Sequence, residues 1–259
     1  MAVLASLKRV VLTVLQQSFL PEGWQFMGYL GSKAASGAYQ KIISLMPVHD
    51  TYIESHLGGG AIMLRKPCAR HSIGIDVDPV TIESFRQANA EFVNGMGREL
   101  DILVGDAVST LSALAFPKFG RTLIYADPPY LHETRTSKNR YRHEYSREGH
   151  AALLACLRNV PAHVMLSGYP SEFYDSLLPD WFTTEFQVMT RGGVRTEKLW
   201  MNYNPSEVPV FSSAFAGNDY EDRRRIKRKA ARWREKFRLL APAERLAVLA
   251  ALSEVDLSR

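Results

Sequence analysis

Four consecutive residues, Asp127-Pro128-Pro129-Tyr130, bring together a carboxylate, a rigid turn and an aromatic ring directly after the apolar run Leu123–Ala126. Two prolines would leave a sheet ladder short of donors, so this tetrapeptide is expected as a turn just beyond a strand. An exocyclic amine on an aromatic base is a poor nucleophile, because its lone pair is delocalised into the ring. The Asp127 carboxylate and the Pro128 carbonyl can both accept hydrogen bonds from such an amine, aligning it and favouring its attack through partial rehybridisation. Tyr130 offers a face on which an extruded base could stack.

Two further segments carry chemistry at expected strand ends. Glu54-Ser55-His56-Leu57-Gly58-Gly59-Gly60 runs off one strand towards a helix. Its glycines allow a ligand close to the backbone, and a helix start offers free N–H groups; a plain tight turn is the alternative. The segment lacks the Gly-Lys-Ser/Thr of a nucleotide phosphate loop. Asp76, in Gly74-Ile75-Asp76-Val77-Asp78-Pro79, closes the next strand, where an acid can accept hydrogen bonds from both hydroxyls of a ribose. The alternative is a helix N-cap, a role for which Asp78 before Pro79 is better placed. Asp106 ends a third strand and could face the adenine edge of the same cofactor or cap a helix.

The elements that must position these residues alternate. Strands are expected at Thr51–Glu54, Ser72–Asp76, Asp101–Val104, Thr122–Ala126 and His163–Leu166, with helices through Met63 and Leu64, from Pro79 to Phe92 and around His150–Leu157. Thr183–Met189 and Lys198–Tyr203, around Gly192 and Gly193, form a hairpin. Strands alternating with helices imply a mostly parallel, doubly wound α/β sheet. Ligands of such sheets sit beyond the carboxyl ends of the strands.

Outside that region the chain changes character. Pro205–Gly217 is expected as a connecting loop, and Ile226, Ala230, Trp233, Phe237 and Leu240 mark one stripe of a helix that packs by that stripe. Pro242 can open a last helix carrying Leu246, Leu249 and Leu252. The net charge of +5 is uneven: Glu221–Leu239 carries +7 and the remaining residues −2. At the other end Leu4, Leu7, Val11 and Val14 recur at helical spacing, while Lys8 and Arg9 interrupt any signal-peptide core. Cys68 and Cys156 are too few for a disulfide framework and fit a reducing cytoplasm. No apolar run is long enough for a membrane span, and no His/Cys spacing suits a metal.

With these residues in view, the chain from about 27 to 204 resembles the Dam-like adenine-specific DNA methyltransferases. Tyr29-Leu30-Gly31-Ser32-Lys33 resembles the family's opening cofactor motif, in which an aromatic residue and a lysine contact S-adenosylmethionine. Glu54–Gly60 resembles its Glu-Pro-Phe-x-Gly-x-Gly loop, Asp76 its ribose acid and Asp127–Tyr130 its catalytic motif. Ser167–Tyr174 and Glu197–Tyr203 resemble its later segments. The family's Pro-Phe is Ser55-His56 here. Asp76 and Asp127 lie only 51 residues apart, leaving no room for the helical target-recognition insert that such enzymes usually carry there.

The resemblance implies a Rossmann-like class I S-adenosylmethionine-dependent methyltransferase with a C-terminal hairpin and a basic helical tail. Its parts are an amphipathic extension (1–26), a catalytic domain (27–204) and a linker with basic helices (205–259). The implied catalytic residues are Asp127, Pro128 and Tyr130. The implied cofactor residues are Tyr29, Lys33, Glu54, Gly58, Gly60, Asp76, Asp106 and Asp127. The implied partner is double-stranded DNA methylated at adenine N6. RNA adenine methylation and a catalytically idle nucleic-acid-binding module of the same fold stand as alternatives, and nothing in the chain fixes an oligomeric state. With the recognition insert missing, sequence preference is expected to be weak or very short. The basic, aromatic-bearing stretch His132–Arg147, with Arg135, Lys138, Arg140 and Arg142, can follow phosphates, and Arg224 and Arg228 of the tail can hold a duplex.

Overall fold

The computed structural model describes Lys33 and residues 37–94, 99–134, 142–190, 193–211 and 220–252. Seven strands form one sheet: β1 Thr51–Glu54, β2 His71–Asp76, β3 Glu99–Val104, β4 Thr122–Ala126, β5 His163–Gly168, β6 Phe182–Thr190 and β7 Gly193–Met201. Their order is β3-β2-β1-β4-β5-β7-β6, and β7 alone runs against the rest. Every residue of β1 and β4 is buried. Helices cover both sides, so neither strand alternates between buried and exposed residues; β4 is a nearly continuous apolar run, and β1 buries Tyr52 and Ile53 between Thr51 and Glu54.

On one face pack α1 (Ala38–Ser44) and α2 (Pro79–Ala88), through Ile42, Ile43, Ile82 and Phe85. On the other pack α4 (Ala107–Ala113), α5 (Arg147–Asn159) and α6 (Glu172–Leu177), through Leu111, Leu153, Leu154, Leu157 and Tyr174. Local capping explains where several helices begin. Asp78, Asp106, Ser146 and Ser171 each accept a first-turn backbone N–H.

Three expectations are corrected. No helix follows the glycine loop: Ala61–Arg65 forms turns. A single turn closes there, its early Met63 N–H taken by the buried Glu54 carboxylate; Arg65 and Lys66 N–H both fall back on Ile62, and Pro67, which has no N–H, stops any further turn. The helix expected to reach Phe92 breaks at Asn89, whose side chain donates to the Phe85 carbonyl, and resumes as the short α3 (Ala90–Val93). The last strand ends at Met201, because the Asn202 side chain replaces the ladder, accepting from Val164 N–H and donating to the Ala162 carbonyl.

The sheet unit continues past Asn204. Val48 N–H donates to Pro209, and Phe211 N–H to Met46, around a Pro47–Val210 bridge. The chain divides into two compact units, and the described residues 220–252 belong to the second. There α7 (Tyr220–Leu239) has acids in its first turn and bases in its last, complementing its dipole, and α8 spans Pro242–Leu252. The apolar stripe expected to pack α7 is covered only in part: Ile226, Phe237 and Leu240 are half-buried, whereas Ala230 is exposed and Trp233 is 63% exposed. Residues 1–26 lie outside the described part. No helix among the described residues is long and apolar enough to cross a membrane.

Candidate active site

The switch point of the sheet lies between β1 and β4, where the winding reverses. The loops leaving the carboxyl ends of these two strands therefore open onto one crevice. The glycine loop leaves β1 and the Asp-Pro-Pro-Tyr turn leaves β4. Lys33, Glu54, Gly58, Gly60, Asp76, Asp127, Pro128, Tyr130 and Arg142 all line this cleft.

Among the described residues, Asp127 is held by side chains alone. Its Oδ1 receives hydrogen bonds from Lys33 Nζ at 2.8 Å and from Ser167 Oγ at 2.8 Å, leaving Oδ2 for the cleft; the side chain is 19% exposed. Lys33 also donates to the Tyr130 hydroxyl at 2.5 Å, and that hydroxyl donates to Glu197 Oε1 at 2.9 Å. Glu197 Oε2 stands 3.7 Å from Lys33 Nζ. Two carboxylates thus share one buried ammonium. Burial works against the charge on Lys33, but Asp127 and Glu197 outweigh it and hold its pKa well above the usual value. Burial, reinforced by Asp127, raises the pKa of Glu197 against the pull of Lys33. The Tyr130 ring lies against that of Tyr169, with centroids 4.2 Å apart.

The other half of the cleft is built from backbone. Asp76 accepts Gly58 N–H at Oδ2 (2.9 Å) and Asp78 N–H at Oδ1 (3.0 Å). A carboxylate has about four acceptor positions, so two remain for a ligand. Burial raises the Asp76 pKa, and the two N–H groups partly offset this. Gly58 and Gly60 have φ of +49° and +61°. A Cβ on Gly60 would lie 2.3 Å from the Phe85 ring, so this glycine is required by packing against α2 as well as by its backbone conformation. Glu54 accepts from the Tyr52 hydroxyl and Met63 N–H, and burial pushes its pKa up to about 8. It therefore adds little negative charge to the cleft near neutral pH.

His56, where the resembled family has phenylalanine, bonds Ser55 Oγ at 3.0 Å and the Tyr145 hydroxyl at 3.2 Å. Burial lowers its pKa to about 3, so the ring is neutral. Arg142 pairs with Asp78 at 2.9 Å, its side chain 64% exposed at the cleft. Asp106 caps α4 through Ser109 N–H and Oγ; beside it Gly105 and Ala107 line the cleft. Arg224 and Arg228 lie exposed on α7. Tyr29, Arg135, Lys138 and Arg140 lie outside the described residues.

Sequence reasoning did not single out Ser167, Glu197, Tyr169 or the His56–Tyr145 pair as site residues. The first three stand in the segments matched to the family's later motifs, which was the available signal. Among the described residues no group of three or more His, Cys, Asp or Glu could hold a metal ion.

No family model matches the chain, and no curated protein matches it. Solved structures do. The magnesium protoporphyrin IX methyltransferase of Synechocystis PCC 6803, with bound SAM, is 15% identical over 62% of this chain and 74% of that one, with a TM-score of 0.40. A candidate RNA methyltransferase from Pyrococcus horikoshii is 14% identical over 76% of this chain and 97% of that one, at 0.44. The precorrin 8W decarboxylase of Methanobacterium thermoautotrophicum is 12% identical over 72% and 100%, at 0.47. Seven strands in the order found here, with β7 alone reversed and helices on both faces, make this chain a Rossmann-like fold of the class I methyltransferase type.

Proposed function

We propose that this protein is an S-adenosylmethionine-dependent methyltransferase acting on the N6 amino group of adenine in DNA. One observation carries this reading: Asp127 is fixed through Oδ1 by Lys33 and Ser167, so that Oδ2 and the Pro128 carbonyl can meet the two N–H bonds of an amine. Accepting both concentrates electron density on the nitrogen and aims its lone pair along the cleft. Tyr130, held by its hydroxyl between Lys33 and Glu197, presents a ring at a fixed place for the extruded base.

The residues on the other half fit the cofactor. Asp76 keeps two acceptor positions for a ribose diol, and the glycine loop beside it allows close backbone approach. When bound, the cofactor supplies a methyl group activated by a sulfonium. Lys33 keeps its charge and stays on Asp127, so this lysine orients the carboxylate and does not act as a base. Tyr29 joins Lys33 on the cofactor in this reading, Asp106 borders its adenine end, and Glu54 braces the glycine loop. Arg135, Lys138, Arg140 and Arg142, which follow the turn in the sequence, and Arg224 and Arg228 of α7 supply phosphate contacts in this reading.

The test is transfer from methyl-labelled S-adenosylmethionine to unmethylated duplex DNA and, separately, to RNA, followed by digestion to nucleosides. Label in N6-methyldeoxyadenosine is expected. Label only in a methylated ribonucleoside assigns the chain to RNA, and no label in either polymer, or label unaffected by Asp127→Ala, overturns the reading.

A further inference from the structure

The β6–β7 hairpin is longer than the sheet needs. β5 pairs with β7 only from Met201 back to Lys198, the latter opposite Gly168. The two hairpin strands nevertheless stay paired to Thr190 and Gly193. Phe186–Thr190 and Gly193–Glu197 therefore run past the end of β5 as a two-stranded ribbon, with no third strand beside them among the described residues. At roughly 3.3 Å per residue these five pairs extend about 16 Å. Because β5 is parallel to β4, the ribbon leaves the sheet at the end where the Asp127 turn opens.

An isolated hairpin is marginal in water, yet this one is anchored. At its root Glu197 binds the Tyr130 hydroxyl, and further out Val188 is buried. Its other face is open and polar: the Gln187 side chain donates to Thr196 Oγ1 across the strands in an exposed position, and Val194 is 58% exposed. Arg195 stands opposite Val188 in the ladder, and so on the anchored face; half-buried there, it pairs with no carboxylate among the described residues, and its long side chain can reach past the ribbon's edge. The described residues between Asp76 and Asp127, by contrast, form α2, α3, β3, α4, a short 3-10 turn and β4, all ordinary parts of the sheet unit.

We propose that this ribbon is the duplex-reading element of the protein: it lies in the major groove beside the target base, with Gln187 and Thr196 towards base edges and Arg195 on a phosphate. The inference rests on the DNA reading above. The major groove is about 12 Å wide and 8.5 Å deep and admits a two-stranded ribbon, so an arm of this length reaches its floor. Glutamine and threonine both present donors and acceptors suited to base edges. The bond from Tyr130 to Glu197 fixes the ribbon to the residue on which the base stacks, so that groove position and base position are set together.

The test uses the full chain and a fluorescent duplex oligonucleotide in an anisotropy titration at several salt concentrations. Arg195→Ala is expected to weaken duplex binding about tenfold and to lower the salt slope by about 1. The double variant Gln187→Ala with Thr196→Ala is expected to change the bases flanking methylated adenines in a mixed-sequence duplex pool, by about tenfold in preference. Cofactor affinity and thermal midpoint stay at the wild-type values in both. Unchanged affinity, slope and flanking preference overturn the inference while leaving the methyltransferase reading intact, since Asp127→Ala still abolishes transfer. A wild-type chain that binds no duplex overturns it as well. If the chain binds duplex but transfers no methyl group, the catalytic reading fails, and the Arg195 titration alone decides the ribbon.

Discussion

Asp76 and Asp127 end strands separated only by β1, face one cleft, and are held in opposite ways. Asp76 is fixed by two backbone N–H groups, from Gly58 and from Asp78. Asp127 is fixed by side chains, Lys33 from 94 residues away and Ser167 from 40, with Tyr130 and Glu197 completing the set. Backbone donors survive most substitutions and carry no net charge. A shared ammonium between two carboxylates is sensitive to each member and to pH. The cofactor half of the cleft is therefore set by the fold itself, and the transfer half by a charge network laid on top of it.

The comparison can be broken most severely at Asp127. Asp127→Ala removes the acceptor for the amine and is expected to lower transfer about a thousandfold, measured with labelled cofactor under saturating conditions. At the other acid, Asp76→Ala removes acceptors for the ribose, and cofactor affinity by calorimetry is expected to fall roughly 10- to 100-fold. Gly60→Ala strikes the scaffold: a Cβ 2.3 Å from Phe85 at positive φ is expected to cost about 3 kcal/mol in urea unfolding.

Glu54 sharpens the contrast through pH. Its folded pKa is raised from 4.5 to about 8 by burial. Below pH 4.5 both folded and unfolded chains hold the proton, and no stability difference arises. Between pH 4.5 and about 8 only the unfolded chain releases it, so this group's contribution to stability falls as pH rises. Glu54→Gln is expected to flatten the decline in unfolding free energy between pH 5 and 8. The smallest effect belongs to the second unit. Arg224→Glu with Arg228→Glu, on an exposed helix, is expected to weaken duplex binding several-fold and reduce its salt slope, with cofactor affinity unchanged.

Much of the cleft was legible in the sequence because its parts are local. Asp127-Pro128-Pro129-Tyr130, Asp76 and the glycine loop each declare themselves at the end of an apolar strand, and β1 and β4 fall where their apolar runs place them. Ser167 and Glu197 could not be read in the same way. Their roles depend on β5 and β7 lying beside β4, a register that no short pattern records. Gly60 was legible as a special residue, but for ligand approach; the Phe85 ring shows a packing reason as well. The stripe on α7 was legible only in part, since helical spacing signals a possible packing face: Ile226, Phe237 and Leu240 are half-buried, while Trp233 stays exposed. The turn after the glycine loop and Asn89 illustrate a third limit, where the chain ends a helix that periodicity continues: Pro67 stops the one, and at the other the Asn89 side chain joins its own backbone N–H on the Phe85 carbonyl.

The division of labour within the cleft is tested most directly by measuring cofactor affinity and methyl transfer to DNA side by side in Asp76→Ala and Asp127→Ala. Asp127→Ala should lose far less cofactor affinity than Asp76→Ala and transfer essentially nothing even at saturation. Asp76→Ala should bind it weakly, yet recover most of the wild-type rate at saturation. Loss of binding and of transfer to the same degree in both variants would contradict a cleft whose two halves are separately built.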